Sequence, residues 1–88
     1  LDHGVLGCRD LASGIEWLRQ RLGVAPAPGG VHASGATHYA LLALSPGTYL
    51  ELLAPTHPCA ADADPWARAA HACEHVLPLA YACRSRLP

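Results

Sequence analysis

One carboxylate in this sequence stands where the surrounding pattern predicts an apolar side chain. Residues 48–54 (TYLELLA) alternate as a β-strand does, with Tyr49, Glu51 and Leu53 on one face. A carboxylate that points into a protein needs a metal ion, an arginine or ordered water as its partner, or it must hold a proton. Local violations of a pattern concentrate at functional sites. We therefore take Glu51 as a candidate functional residue, with a buried ion pair to an arginine as the alternative.

A second group of possible metal ligands lies nearer the end of the chain. His71 and His75 are four residues apart, so on a helix they would share one face and could hold a metal ion. A closed structural site would need two more ligands, and His57 and Cys59 could supply them only by folding back. The spacing is unusual, and the alternative is a pair of solvated histidines on a terminal helix.

The sequence gives little support to nucleophilic catalysis or to phosphate binding. It has no GxSxG motif, and its glycine-rich stretch PAPGGVHASG does not follow a strand and open a helix. The four cysteines form no CxxC pair, which excludes a zinc ribbon and a thioredoxin-type motif. Because no secretion signal opens the chain, we expect buried thiols in a cytoplasmic protein rather than two disulfides.

Composition excludes several classes of partner. The chain is 51% apolar and 15% charged, which is typical of a folded domain rather than a disordered tail. Six arginines against seven acidic residues give a net charge of −1, so no basic face exists for nucleic acid. The longest apolar run, Tyr39–Leu44, is far shorter than the ~20 residues of a membrane span. Since the sequence lacks Met, we expect it to be a portion of a longer protein.

The elements that must position these residues begin with a strand and a helix. Asp2–Cys8 is predicted to be a strand. Asp10 as N-cap and Gly23 after the last turn delimit a helix whose leucines and isoleucine recur with helical spacing. Residues 25–36 contain two prolines and three glycines, which predicts a loop.

The second half of the sequence contains two strands, a short helix and a final strand. Thr37–Leu44 and Thr48–Ala54 are joined by the turn SPG, which predicts a β-hairpin. After a proline-rich stretch, Asp64 is predicted to cap a helix that extends to about Cys73. Val76–Arg84 is predicted to be a strand that a proline interrupts.

The end of the chain resembles its beginning. A shift of 75 positions places Gly7–Asp10 (GCRD) over Ala82–Ser85 (ACRS), so that both stretches are apolar strands ending in Cys-Arg and a helix-capping residue. This similarity suggests a second copy of a strand–helix–strands unit that begins near residue 76. On the same shift His3 aligns with Pro78, which cannot coordinate a metal.

Taken in order, these pieces resemble a glyoxalase-like domain of the vicinal oxygen chelate superfamily. The matching segments are LDHGVLGCRDLASGIEWLRQRLGVAPAPGG, THYALLAL and YLELLAP, within residues 1–55. The resemblance implies an α+β fold in which residues 1–55 form a βαβββ module. Residues 56–75 would be a linker with a short helix, and residues 76–88 the start of a second module, truncated after its first strand. Two modules, from one chain or two, would pair around a shared cup.

The resemblance also implies a set of site residues. In metal-using members the first strand supplies a His or Gln and the last strand a Glu, and these positions are His3 and Glu51 here. Glu51 would also be the catalytic residue. His38 matches a histidine that recurs in the group, and with Tyr39 and Tyr49 it is expected to bind the substrate. The alternatives are a strand-edge ring bonded to backbone for His3, a sheet-rim histidine for His38, and core packing for the two tyrosines.

The implied cofactor is a divalent metal (Zn, Ni, Mn or Fe), because imidazole and carboxylate suit such borderline ions. As a Lewis acid it would serve a lyase, isomerase or dioxygenase acting on a small oxygenated substrate. The alternative is a metal-free module that sequesters a small molecule, as drug-sequestering (bleomycin resistance) relatives do, and the sequence does not decide whether the protein is an enzyme. Since one copy offers two credible ligands and an open sheet face, we expect a homodimer or pairing with a missing second module.

Overall fold

The chain folds as a mixed five-stranded β-sheet with two α-helices. This computed structural model describes the backbone of residues 2–83 and the side chains of residues 3–79. The strands are β1 (Asp2–Gly7), β2 (Ala27–Val31), β3 (Thr37–Ser45), β4 (Thr48–Pro55) and β5 (Leu77–Cys83). The helices are α1 (Leu11–Leu22), α2 (Pro65–His71) and a 3₁₀ helix at Pro58–Asp62. The order β1–α1–β2–β3–β4 is a βαβββ module, so the α+β fold class is as expected.

Helix α1 begins and ends where its capping residues predict. The side chain of Asp10 accepts a hydrogen bond from the backbone N–H of Ser13 at 2.9 Å, which satisfies a donor that has no partner within the helix. Gly23 adopts a left-handed conformation with φ of 79° and its N–H bonds to the carbonyl of Arg19. Leu11 and Leu18 are buried against the sheet. Local capping and periodicity therefore suffice to define this element.

The prediction that residues 25–36 form only a loop is wrong. Ala27–Val31 forms the strand β2, which lies at the edge of the sheet and, within residues 2–83, pairs only with β3, in antiparallel orientation. An edge strand needs hydrogen bonds on one side only, so it tolerates Pro28, which has no N–H, and the register shifts between Pro28 and Gly30. All five residues are exposed, so no apolar alternation marks the strand in the sequence.

The hairpin of β3 and β4 forms as predicted, with Gly47 at a φ of 81° in its turn. Helix α2 follows its predicted N-cap, since Asp64 accepts from the N–H of Ala67 at 2.9 Å. The helix ends at His71, two residues before the predicted end. His75 therefore lies outside the helix, and the prediction that His71 and His75 share a helix face is wrong.

The sheet has two faces with different roles. Its strand order is β2-β3-β4-β1-β5, with β1 parallel to β4 and antiparallel to β5. Helix α1 packs on one face against β3 and β4. The core there consists of Cys8, Leu11, Leu18, Ala40, Leu52 and Ala54. The opposite face, which we call the pocket face, is covered only in part by α2, which contacts β4 and β1. No helix within residues 2–83 has the length and apolar character needed to cross a membrane.

Strand β5 lies beside β1 with a register that matches the internal similarity. Val5 pairs with Ala80, and these two residues are separated by the same 75 positions that align the two ends of the sequence. An antiparallel pair of equivalent strands has a local two-fold axis at such a position. Arg84 and Ser85 lie outside the described residues, and the division into a first module, a linker and a second module stays a prediction.

Candidate functional site

The two residues expected to bind a metal meet on the pocket face. Strands β1 and β4 run parallel with His3 opposite Tyr49 and Val5 opposite Glu51. Because side chains alternate along a strand, His3, Val5 and Glu51 all point to the same side of the sheet. The His3 Nε2 atom lies 3.7 Å from Glu51 Oε1. Both side chains are largely buried, with exposed fractions of 19% and 15%.

A third residue joins this pair, and the sequence did not identify it. His32 follows β2, and its Nε2 lies 2.8 Å from Glu51 Oε2. Its other ring nitrogen, Nδ1, lies 2.8 Å from Thr37 Oγ1. The only signal available in the sequence was that a β2–β3 hairpin would place His32 near the start of β3. Assigning residues 25–36 to a loop removed that signal.

The turn that holds His32 is defined by backbone hydrogen bonds. The N–H of His32 donates to the carbonyl of Thr37 at 2.9 Å, and the N–H of Gly35 donates to the carbonyl of His32 at 2.8 Å. Gly35 has a φ of 77°, a conformation that glycine adopts without steric cost. The turn therefore presents the imidazole to β4 across the start of β3.

The described partners of Glu51 are two histidines. Among the described side chains, Glu51 pairs with His3 and His32 and with no arginine. The alternative reading, a buried ion pair to an arginine, is therefore not what the described side chains form. Its carboxylate lies between two imidazoles, one at each oxygen.

These side chains line a pocket of about 520 Å³ on the pocket face. The polar lining residues are His3, His32, Ser34, Thr37, Glu51 and Asp64, and the apolar ones are Val5, Leu53 and Trp66. Trp66, in the first turn of α2, is 48% exposed. A small concave site with convergent polar groups and an apolar wall is typical of small-molecule binding.

The two tyrosines expected to contact substrate support the histidine rings. Tyr49 stacks on His3, with ring centroids 4.7 Å apart and an interplanar angle of 4°. Tyr39 packs on His32 at 4.6 Å with the rings tilted by 36°. Neither tyrosine is among the described residues that line the pocket. Their role in substrate binding stays a prediction.

His38 lies on the helix-covered face rather than the pocket face. It pairs with Ala54 of β4, and Ala54 belongs to the core packed against α1. Hydrogen bonds from Ser13 are the main cause that lowers the pKa of Asp10, and the electrostatic interaction with His38 lowers it further but more weakly. His38 does not line the pocket within the described part of the chain, and its proposed substrate contact stays a prediction.

The side chains fit one part of a metal site. His3 Nε2 and Glu51 Oε1 are two donors directed to one pocket, and protein metal sites use three or four. Within residues 3–79 no group of three or more His, Cys, Asp or Glu side chains is arranged to hold an ion. The second candidate group from the sequence, His57, Cys59, His71 and His75, is therefore not arranged to hold an ion either. Any ion at His3 and Glu51 would need further ligands.

One atom in the site lacks a partner. The Nδ1 atom of His3 is buried and makes no hydrogen bond within the described residues. Histidines that bind a metal through one ring nitrogen usually donate a hydrogen bond from the other. In a metal complex through Nε2, His3 would therefore lack the support that such ligands commonly have.

The three cysteines whose side chains are described do not line this pocket. Cys8, Cys59 and Cys73 are free, and Cys8 and Cys73 are buried as expected, whereas Cys59 is exposed. Burial, assisted by the charge of Asp10, raises the pKa of the Cys8 thiol to about 12. A thiol that stays protonated is a poor nucleophile. The side chain of Cys83 lies outside the described residues.

The fold and the site together are a βαβββ sheet with a pocket on one face, lined by both polar and apolar side chains. A comparison with protein-family models matches residues 1–86 to the glyoxalase-like domain. The chain belongs to the glyoxalase-like domain family, and the resemblance based on residues 1–55 is confirmed and extends through α2 and β5. The comparison with curated proteins gave no match, and neither did the comparison with solved structures.

Proposed function

We propose that this glyoxalase-like domain binds a divalent metal ion through His3 and Glu51 and a small oxygenated substrate in the adjoining pocket. The observation that carries the proposal is the 3.7 Å separation of His3 Nε2 and Glu51 Oε1 on neighbouring strands. Family membership supports it as well, since the sequence resemblance assigns these two residues to the ligand positions of metal-using relatives. A second βαβββ module, in a homodimer or a longer chain, supplies the remaining ligands.

Different residues of this chain would have different roles in such a site. A bound divalent ion supplies Lewis acidity for negative charge on substrate oxygens, which suits a lyase, an isomerase or a dioxygenase. His3 offers Nε2 and Glu51 offers Oε1. Val5, Leu53 and Trp66 form the apolar wall that excludes water from the bound substrate. Free buried thiols at Cys8 and Cys73 support a reducing, cytoplasmic location.

A second candidate function is metal-free binding, in which the pocket sequesters a small molecule. The hydrogen bond from His32 to Glu51 favours it, because that bond satisfies one carboxylate oxygen without a metal ion. His3 faces the other oxygen. In this case Trp66 and Leu53 supply most of the binding surface, and the His3–Glu51–His32 group receives the ligand's polar end.

Elemental analysis of the purified protein, grown with metals supplied, separates the two functions. The samples are wild type, Glu51→Gln, His3→Ala and the control Glu74→Gln, which alters an exposed carboxylate away from the pocket. Stoichiometric Mn, Fe, Ni or Zn in wild type and Glu74→Gln that is lost from the other two supports the metal site. Metal that remains in Glu51→Gln contradicts it.

Wild-type protein without metal would favour the binding module. Small molecules are then screened for an increase in melting temperature that disappears in Trp66→Ala. A ligand that stabilises both proteins equally would show that it does not occupy this pocket.

A further inference from the structure

A chain of two hydrogen bonds connects Glu51 to a buried threonine through His32. His32 Nε2 is 2.8 Å from Glu51 Oε2, and His32 Nδ1 is 2.8 Å from Thr37 Oγ1. An ionised carboxylate can only accept, so the proton of the first bond lies on Nε2. At Nδ1 the Thr37 hydroxyl can serve either form of the ring, because a hydroxyl can donate to a neutral imidazole or accept from a protonated one. Each polar atom of the imidazole thus has a partner.

The surroundings of His32 restrict the movement of its ring. Thr37 is 3% exposed, so its hydroxyl has few partners other than His32. Tyr39 packs on the ring at 4.6 Å, and the turn that ends at Gly35 fixes the backbone. Gly29 leaves the space that Tyr39 occupies, because a Cβ there would overlap the tyrosine ring. The imidazole is therefore held in place before any ligand binds.

We infer that His32 is a positioning residue, which holds Oε2 of Glu51 and leaves Oε1, beside His3, as the oxygen of Glu51 that is free to bind a ligand in the pocket. The hydrogen bonds on either side of the ring set the carboxylate orientation. The inference rests on the proposed function for what binds at Oε1, and on geometry alone for how Glu51 is held.

Two substitutions of His32 separate its two hydrogen bonds. In His32→Gln the side-chain amide nitrogen can reach the place of Nε2 and donate to Glu51. In His32→Asn the shorter amide can reach Thr37 but not Glu51. Thr37→Val and Thr37→Ser form a second pair, in which only serine keeps the hydroxyl. The readout is Co²⁺ binding to the 88-residue chain, followed by absorbance. Only the part of the Co²⁺ signal that is lost in Glu51→Gln is compared between variants.

Wild type and Thr37→Ser are expected to bind Co²⁺ with similar affinity, and His32→Gln, which keeps the bond to Glu51 but loses the bond to Thr37, is expected to weaken binding no more than Thr37→Val does. His32→Asn and Thr37→Val are expected to weaken this binding, by about 10–100-fold for His32→Asn, as is common when a group supporting a metal ligand is lost. If His32→Asn binds as wild type does while Glu51→Gln loses binding, the inference is wrong and the proposed function stands. If wild type and Glu51→Gln bind alike, the proposed metal site is wrong.

A second measurement needs no metal ion. It tests the inference if wild type and Glu51→Gln bind Co²⁺ alike, or if a variant fails to fold. Nitrogen-15 NMR of the wild-type imidazoles reports which ring nitrogen carries a proton. A proton on His32 Nε2, with a signal that shifts in Glu51→Gln but not in Glu74→Gln, supports the inference. A His32 ring whose Nε2 lacks a proton overturns it.

Discussion

His32 and Glu51 are separated by 19 residues, and their side chains meet at 2.8 Å. His32 follows the edge strand β2, whereas Glu51 lies within β4, and β3 runs between those strands. Thr37, at the start of β3, is the hydrogen-bond partner of the other ring nitrogen of His32. The polar end of the pocket therefore depends on the register of three strands as much as on its own side chains.

The energetic coupling of His32 and Glu51 can be measured with a double-mutant cycle. We expect His32→Leu and Glu51→Leu each to destabilise the fold, because each leaves the other partner without its hydrogen bond. The double variant leaves no such partner, so the cycle should give a coupling free energy of about 1 kcal/mol in urea unfolding. The same cycle between His32 and exposed Glu74 is the control. Additive effects for His32 and Glu51 would contradict a formed hydrogen bond.

Gly29 is expected to be needed for the packing of Tyr39 against His32. Glycine to alanine often stabilises a strand where the backbone permits it, and the φ of Gly29 is not positive. Here the added Cβ would overlap the Tyr39 ring, so Gly29→Ala should destabilise the protein by about 1–3 kcal/mol. In a Tyr39→Leu background the same change should have a much smaller effect on urea unfolding. An equal effect in both backgrounds would show that the ring is not the obstacle.

Stability should depend on pH through the N-cap of α1. Hydrogen bonds from Ser13 hold the pKa of Asp10 below its usual value. A lowered folded-state pKa gives stability that is present above the unfolded pKa and is lost as the pH falls through the folded pKa. Asp10→Ala should lose about 1 kcal/mol near neutral pH, and its difference from wild type should narrow below about pH 4.

Asp10→Asn is the matched control for the N-cap, since its amide oxygen still accepts from Ser13. It should lose less stability than Asp10→Ala near neutral pH. Urea unfolding of the three proteins over a pH series makes the comparison. A gap between wild type and Asp10→Ala that stays constant into acid would contradict the role of the ionised carboxylate.

The thiols should differ in their reactivity towards an alkylating agent. Cys59 is exposed, whereas Cys8 and Cys73 are buried and burial raises the pKa of both thiols. Near neutral pH we expect rapid modification of Cys59 in the native protein and of Cys8 and Cys73 only after unfolding. Peptide mapping by mass spectrometry identifies each site, and Cys59→Ser should lack the rapid adduct at residue 59. Rapid native modification of Cys8 would contradict its burial.

The sequence by itself determined the features that depend on neighbouring residues. The ends of α1 follow from Asp10 and Gly23, because capping and left-handed backbone act within one turn of a helix. The β3–β4 hairpin follows from a short turn between two apolar runs. Glu51 could be identified because a carboxylate between leucines is a local exception. The three matching segments, in their order along residues 1–55, were also enough to identify the family.

Only the tertiary structure decided which distant residues meet. Strand β2 has no apolar pattern because it lies at an exposed edge, so its existence depends on pairing with β3. That pairing brings His32 to Glu51, and the parallel register of β1 and β4 brings His3 there. His38 and Thr37 are adjacent in the sequence, yet alternation in β3 sends them to opposite faces. Hydrogen bonds between strands set these relationships, and no local preference of the chain encodes their register.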